Sequence, residues 1–149
     1  MKKIICFILC LLSAGCVEDY NSNFPEYQVN FHINLNTEGL SLVGIGGYYV
    51  KDKIVGTERI GYAGVLVYHT YDTSNSYAAF DRACPVEAAR DCLISTPDDI
   101  GIVKCKKCGS TFNISYGIGN PESGPAVEKK RILRKYRTTL SGTILSVYN

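Results

Sequence analysis

The pattern of apolar and polar positions along this chain predicts β-strands and no long helix. Between Gln28 and Leu35 every second residue is apolar, which is typical of a strand with one face in a core and the other in solvent. Residues 40–50 are apolar but contain three glycines, which predicts a strand or a bend. No stretch of eleven or more residues has the 3.6-residue apolar period of a helix, and the best match, 126–136, is short and basic. The pattern therefore predicts an all-β domain.

Two further segments predict β-hairpins, because each joins two runs rich in β-branched and aromatic residues through turn-forming residues. The first hairpin combines runs 64–71 and 77–82 across the turn 72–76, and it leads straight into Cys84. The second combines runs 136–140 and 143–147 across Ser141 and Gly142. Glycine in such a two-residue connection can take the positive φ that a tight hairpin requires.

The first sixteen residues predict an export signal with a site for lipid attachment. Lys2 and Lys3 precede nine apolar residues, 4–12, whereas a helix needs about twenty to cross a bilayer. Cys16 follows small residues at 13–15, and this ending resembles the lipobox of bacterial lipoproteins; the alternative is a plain secretory signal. The resemblance implies that residues 1–15 are removed and that a lipid on Cys16 anchors the protein in the cell envelope, with the outer membrane as the expected location.

The expected mature chain divides into a short tether and one domain. Residues 16–25 are polar and acidic, as in a spacer, and residues 26–149 are enough for one hydrophobic core but not for two. The precursor has 16 Lys and Arg against 14 Asp and Glu, so loss of Lys2 and Lys3 leaves no net charge. We therefore expect no attraction to nucleic acid, and membrane lipid, through Cys16, is the expected partner.

Local basic clusters remain on this neutral chain. They lie in the segment before the last strands and beside the Cys-x-x-Cys motif: Lys129, Lys130, Arg131, Arg134, Lys135 and Arg137, and Lys104, Lys106 and Lys107. Such clusters are typical of a solvated strand face, or of a docking surface for an acidic protein partner or anionic lipid. His32 and His69 lie far from the cysteines in sequence, and no Ser-His-Asp arrangement can be assembled, so we expect no enzyme.

Four cysteines remain when the signal and the anchor are set aside: Cys84, Cys92, Cys105 and Cys108. The segment 105–109, Cys-Lys-Lys-Cys-Gly, has the form of a metal-binding knuckle, in which glycine permits a tight turn and backbone N–H groups point at the sulfurs. The Cys-x-x-Cys spacing also serves thiol exchange, although the strand-helix context of thioredoxin-like proteins is absent. In an oxidising compartment the four thiols can instead form disulfides, in three pairings that the sequence does not rank.

Three motifs in order resemble the Rieske iron-sulfur domain, over roughly residues 65–147. The family's Cys-x-His loop is matched by 84–86 and its Cys-x-x-His-Gly-Ser loop by 105–110. Its small-residue loop with Gly-Pro-Ala, which covers the site in the family, is matched by 117–126. The resemblance implies an all-β fold of antiparallel sheets, or a small barrel, with a two-loop rubredoxin-like cysteine subdomain. It also implies a [2Fe-2S] centre with Gly124 and Pro125 in its lid.

Both histidine ligands of a Rieske site are missing from this chain. Val86 stands at the first histidine position and cannot bind a metal, while Cys108 stands at the second and can. The aligned ligands are then Cys84, Cys105 and Cys108, and Cys92 can fill the vacant position if its loop folds back. Four thiolates suit Zn²⁺, or an iron-sulfur centre of lower potential than a true Rieske centre.

The expected export route favours a cysteine site that holds no iron-sulfur cluster when the chain has crossed the membrane. A preassembled cluster usually crosses the membrane inside a folded protein with a twin-arginine signal, and Lys2-Lys3 is not such a signal. The sequence therefore predicts a binding or structural module with a degenerate cysteine site, either closed by disulfides or vestigial. The alternatives are an electron carrier with a cysteine-bound [2Fe-2S] centre, and a structural zinc site.

Overall fold

The computed structural model describes residues 25–149, so the expected signal peptide, Cys16 and nearly all of the tether lie outside the described residues. Within residues 25–149 the secondary structure comprises β1 (Val29–Asn34), a 3-10 turn (Leu40–Leu42), β2 (Tyr48–Lys51), β3 (Arg59–Ile60), β4 (Val65–His69), β5 (Tyr77–Asp81), β6 (Ile102–Lys104), β7 (Thr111–Asn113), β8 (Asn120–Ser123), α1 (Pro125–Glu128), β9 (Lys135–Ser141) and β10 (Ile144–Tyr148). The all-β prediction is confirmed. No helix in this part of the chain is long and apolar enough to span a membrane.

Seven strands form one antiparallel sheet in the order β2-β4-β5-β9-β10-β1-β3. The sheet curls so that its two ends approach each other: Nζ of Lys51 on β2 lies 5.8 Å from the ring centroid of Phe31 on β1. The same Nζ is 2.8 Å from Oε2 of Glu58, which directly precedes β3. The curled sheet is a nearly closed barrel.

The predicted strands and hairpins are present. The strand predicted for 28–35 is β1, and the first hairpin is the antiparallel pair β4–β5. In the second hairpin Ser141 lies opposite Ile144, so the two-residue turn is Gly142-Thr143, one residue later than predicted, with Gly142 at φ +59°. The glycine-rich segment 40–50 divides into the 3-10 turn and the start of β2.

Three short strands form a second antiparallel sheet in the order β6-β7-β8, and the second cysteine loop connects β6 to β7. Strand β8 contains Pro121, which lies in the segment that the resemblance assigned to a lid loop. An edge strand tolerates proline because it has unpaired positions on one side. Residues 120–123 of that segment are therefore strand, and Gly124 follows directly after them.

Strands β4 and β5 separate two hydrophobic cores. Because side chains alternate along a strand, residues such as Val65, Val67 and Ala79 face the barrel interior, and Leu66, Tyr68 and Phe80 face the small sheet. Both strands are thus buried on both faces, which explains their continuous apolar sequence. The second core also contains the three buried cysteines. The cysteine loops are therefore built on the outer face of β4 and β5.

Candidate metal centre

The first cysteine loop starts where β5 ends and returns to the same place. The N–H of Cys84 donates to the C=O of Cys92 at 2.8 Å, and a β-bridge between Ala83 and Leu93 closes the base of the loop. A second bridge joins Ile94 to Cys105 of the other loop. The loop therefore folds back, which is the condition that the sequence set for Cys92 to approach the site.

The second cysteine loop is a tight turn between β6 and β7. The N–H of Gly109 donates to the C=O of Cys105 at 2.9 Å, and the N–H of Cys105 donates to the C=O of Ser110 at 2.9 Å. Gly109 has a φ of +75°, and no atom lies within 4 Å of the place where a Cβ would be. Glycine is thus favoured here by the backbone conformation and not by lack of space. This is the knuckle that the Cys-x-x-Cys-Gly spacing predicted.

The four cysteines are unbonded thiols, and their sulfurs lie close together. The Sγ atoms of Cys84 and Cys108 are 3.6 Å apart, and those of Cys92 and Cys105 are 3.7 Å apart. The sulfurs of Cys84, Cys105 and Cys108 all lie within 4.8 Å of one another. For metal–sulfur bonds of about 2.3 Å, the edge of a tetrahedron of four sulfurs is about 3.8 Å. The two shortest distances therefore fit a thiolate metal site.

The residues considered for the histidine positions are placed elsewhere. Val86 packs against the second core and offers no ligand atom. Nδ1 of His32 is 3.0 Å from Oγ of Ser146, and Nδ1 of His69 is 2.7 Å from the C=O of Leu42. Neither histidine belongs to the cysteine cluster. Among residues 25–149, the donors gathered at this centre are sulfur atoms.

The environments of the sulfurs differ. Burial raises the pKa of the Cys84 thiol far above its ordinary value, and burial together with the neighbouring Cys105 raises the pKa of Cys92 to about 11. At Cys108 burial also raises the pKa, but the hydroxyl and N–H of Ser110 and the nearby thiols outweigh it, so the net pKa is lowered. Cys108 is also the one partly exposed member of the four. A cation beside Cys84 and Cys92 would therefore favour their deprotonation.

Ser110 links the lid to the centre. Its Oγ lies 3.2 Å from Sγ of Cys108 and accepts the N–H of Ala126 at 3.0 Å. Gly124 has a φ of +77°, and a Cβ added there would lie 2.9 Å from Cα of Ser110. The predicted lid residues Gly124 and Pro125 thus belong to a segment that packs directly on the knuckle.

A buried carboxylate that the sequence analysis did not single out fixes the start of the first loop. Asp81 ends β5 and accepts hydrogen bonds from the hydroxyl of Tyr136 at 2.7 Å, the N–H of Tyr62 at 2.8 Å and the N–H of Ala83 at 2.9 Å. Burial is the main cause that raises the pKa of the Tyr136 hydroxyl, and the negative charge of Asp81 is the next. The hydroxyl therefore stays protonated and can donate the hydrogen bond. A signal existed in the sequence, because an aspartate within a buried apolar run needs partners.

A basic side chain connects the first cysteine loop to the start of the described chain. The guanidinium carbon of Arg90 lies 4.6 Å from the ring centroid of Tyr27 and 5.0 Å from that of Tyr62, and the two rings are 5.3 Å apart. The hydroxyl of Tyr62 donates to the C=O of Ala88 at 3.2 Å. We call Tyr27, Tyr62 and Arg90 the aromatic clamp. It ties the loop to the chain segment that precedes β1.

An open cleft of about 490 Å³ borders Cys92. Its lining includes Arg82, Lys106 and Lys107, together with Asp91. Lys107 pairs with Glu87 at 2.9 Å, which connects the two cysteine loops, and Arg82 lies 3.7 Å from Asp52. The charge of this cleft is therefore largely balanced by neighbouring carboxylates.

No protein-family model and no curated protein sequence matches this chain. Among solved structures it is similar to a chain from the complex of reduced oxygenase and oxidized ferredoxin in carbazole 1,9a-dioxygenase. The two chains share 15% sequence identity with a TM-score of 0.48, and the match covers 81% of this chain and 94% of that chain. At this level a likeness carries no information on ligands, so the assignment of the centre depends on its own geometry.

Proposed function

We propose that this chain is a lipid-anchored binding and structural module of the cell envelope, and not an enzyme, in which Cys84, Cys92, Cys105 and Cys108 hold one metal ion. Zn²⁺ is the expected ion. The observation that carries the proposal is the position of Cys105, whose sulfur is 3.7 Å from that of Cys92 and within 4.8 Å of those of Cys84 and Cys108. A single tetrahedral ion holds its four sulfurs about 3.8 Å from one another. The compact group of three sulfurs, with Cys92 beside Cys105, approaches this arrangement.

The same geometry argues against a two-iron cluster. Such a cluster divides its four ligands into two pairs, one on each iron, and the Rieske resemblance would put Cys84 and Cys105 on the same iron. The shortest contacts instead join Cys84 to Cys108 and Cys92 to Cys105. These contacts cross the pairing that the resemblance implies. The sulfur of Cys105 also lies within 4.8 Å of both sulfurs of the other pair, and a mononuclear site fits this closeness better than two separate irons do.

The donor set supports zinc in a structural role. Four cysteines form a closed Zn²⁺ site with no position left for water or substrate, unlike catalytic zinc sites, which have three protein ligands. Zn²⁺ can also be taken up after the chain has crossed the membrane, so the site does not need a preassembled cluster. Both loops and the lid meet at this centre, and the ion would hold together the second core.

The role as a membrane-anchored module is supported by the signal-like residues 1–16 and by the absence of a Ser-His-Asp arrangement in the sequence. Cys16 would attach the protein to lipid. The exposed basic residues between α1 and the end of β9 are the candidate contact for an acidic protein partner.

Metal analysis of the native protein tests the proposal. The full chain would be produced with its own signal in a bacterial host, extracted in detergent, and assayed for zinc, iron and visible absorption. We expect a colourless protein with one zinc per chain, and loss of the metal from Cys105→Ser but not from Ser95→Ala, which removes a hydroxyl from the cleft that borders Cys92. A coloured protein with two irons would instead make the chain an electron carrier. Absence of any metal from the reduced protein would overturn the proposal.

Labelling with radioactive palmitate tests the anchor. The wild-type chain should incorporate the label and fractionate with membranes, and Cys16→Ser should lose both properties because the acceptor thiol is gone. Cys10→Ser serves as the matched control, since this cysteine lies within the expected signal. Retention of the label in Cys16→Ser would exclude this site.

A further inference from the structure

We propose that the centre has a second, metal-free form that is closed by two disulfides, Cys84–Cys108 and Cys92–Cys105. This inference rests on the proposed function in one respect, namely that the same four sulfurs serve both forms. Each cysteine has one partner sulfur at 3.6 or 3.7 Å, and the two pairs together use all four cysteines. A disulfide of about 2.05 Å then requires each sulfur to move by less than about 1 Å.

The alternative pairings fit the geometry less well. Both of them join Cys92 to either Cys84 or Cys108. The sulfur of Cys92 lies outside the group of mutually close sulfurs that Cys84, Cys105 and Cys108 form. A disulfide between Cys105 and Cys108 would therefore leave Cys92 without a nearby partner sulfur. The three pairings that the sequence left open are thus ranked by the fold.

The two disulfides would also hold the two cysteine loops together, as the metal ion would. Cys84 and Cys92 belong to the first loop, and Cys105 and Cys108 belong to the second. Each proposed bond therefore runs between the loops, whereas a Cys105–Cys108 bond would lie within one of them. The oxidised form keeps the loops joined after the ion has left.

The reaction is thiol–disulfide exchange with an external disulfide, of low molecular weight or on another protein. The partly exposed sulfur of Cys108 attacks first and forms a mixed disulfide, releasing one external thiol. The sulfur of Cys84 then displaces the second external thiol. The second pair reacts in the same way, so two external disulfides accept the four electrons of the cysteines and become four thiols. Their four protons come from the cysteine thiols in the metal-free protein, or from solvent when the cysteines start as metal-bound thiolates. The metal is released as a cation because its thiolate ligands are consumed.

Disulfide mapping tests this pairing, and the sequence provides a convenient readout. Trypsin places each of the four cysteines on a separate peptide: 83–90, 91–104, 105–106 and 108–129. The mature, detergent-solubilised protein would be reduced, stripped of metal with a chelator and exposed to oxidised glutathione. It would then be quenched with N-ethylmaleimide and digested without reduction. We expect peptide 83–90 joined to 108–129 at early times and 91–104 joined to 105–106 later. Peptide 105–106 joined to 108–129, or no linked peptides at all, would overturn the inference.

A variant separates the two bonds. In Cys84→Ser, Cys108 loses its partner, and we expect it to keep a glutathione adduct while the 91–104 to 105–106 link still forms. Loss of that link in the variant would contradict independent pairing. Zinc uptake by the reduced wild-type protein is measured in parallel. Correct disulfides without zinc uptake would overturn the proposed function alone, and zinc uptake with other disulfides would overturn this inference alone.

Discussion

Two residues outside the proposed ligand set lie close to the cysteine sulfurs or to the backbone that carries them. Ser110 accepts the N–H of Ala126 and lies 3.2 Å from Sγ of Cys108, so its hydroxyl hydrogen is free to donate to the thiolate. Asp81 performs a similar task at the first loop, where it accepts the N–H of Ala83, next to Cys84. Both act through geometry and not as ligands.

The replacement Ser110→Ala is expected to raise the pKa of Cys108, because the thiolate loses a hydrogen-bond donor. In the metal-free protein the rate of alkylation of Cys108 should reach half its maximum below the pH of an ordinary thiol, and Ser110→Ala should move that midpoint upward. Iodoacetamide labelling of peptide 108–129 across a pH series measures the effect. An unchanged midpoint would mean that Ser110 does not stabilise the thiolate.

Ser123→Ala is the matched control for that experiment, because it removes an exposed hydroxyl that pairs with Thr111.

The lowered pKa of Cys108 also determines how the free energy of unfolding depends on pH. Because the pKa of Cys108 is lowered in the folded protein, this group stabilises the metal-free fold above the ordinary thiol pKa, and the contribution disappears as the pH falls through the folded value.

Tyr136→Phe is expected to destabilise the fold, because it removes the hydroxyl that donates to the buried carboxylate of Asp81. The loss of free energy of unfolding should be about 1–3 kcal/mol. Urea denaturation monitored by circular dichroism measures it. Tyr148→Phe removes a hydroxyl near Thr139 at the surface and should change stability by less than about 0.5 kcal/mol. Equal losses of free energy of unfolding in the two variants would show that the hydrogen bond to Asp81 does not stabilise the fold.

At the scale of strands and loops, the sequence predicts what has a regular pattern. Strand β1 and both hairpins follow from alternation and turn residues. Strand β3 has two residues and β6 and β7 have three each, too few for a pattern to be recognised. These strands form because neighbouring chain segments supply their hydrogen-bond partners.

The cysteine centre was predictable from the sequence in its motif residues but not in its tertiary contacts. The motif order identified Cys84, Cys105 and Cys108 as candidate ligands, and these three form the compact group. The position of Cys92 depends on the bridges Ala83–Leu93 and Ile94–Cys105, which are tertiary contacts without a local signal. Asp81 and Tyr136 are 55 residues apart, so their contact was also invisible in the sequence.

Gly124→Ala is expected to displace the lid, because an added Cβ would meet Cα of Ser110 at 2.9 Å in addition to the strain of a positive φ. Gly142→Ala provides the matched control, since Gly142 also has a positive φ but open space around it. Gly124→Ala should lower the free energy of unfolding by at least about 1 kcal/mol more than Gly142→Ala. It should also speed alkylation of Cys108. Equal destabilisation in the two variants would contradict close packing of the lid.

For the whole molecule, the division into two cores predicts that the barrel and the cysteine subdomain respond differently to the loss of the proposed metal ion. Removal of the ion by a chelator under reducing conditions should increase hydrogen exchange in β6, β7 and the first cysteine loop. Amides of β1 and β10 should keep their protection, because their core contains no cysteine. Hydrogen-exchange mass spectrometry measures both regions in one sample. A uniform loss of protection would show that the cores unfold as one unit.

The aromatic clamp has a mechanical consequence for a protein held by its leading segment. Tyr27 precedes β1, and Arg90 belongs to the loop between Cys84 and Cys92, so their stacking links the incoming polypeptide to the sulfur-bearing loop before the chain reaches its first β ladder. If the chain is anchored as proposed, tension on its leading segment would be shared between β1 and that loop. With the proposed lipid on Cys16, force from the bilayer would reach the cysteine-bearing loop through Arg90.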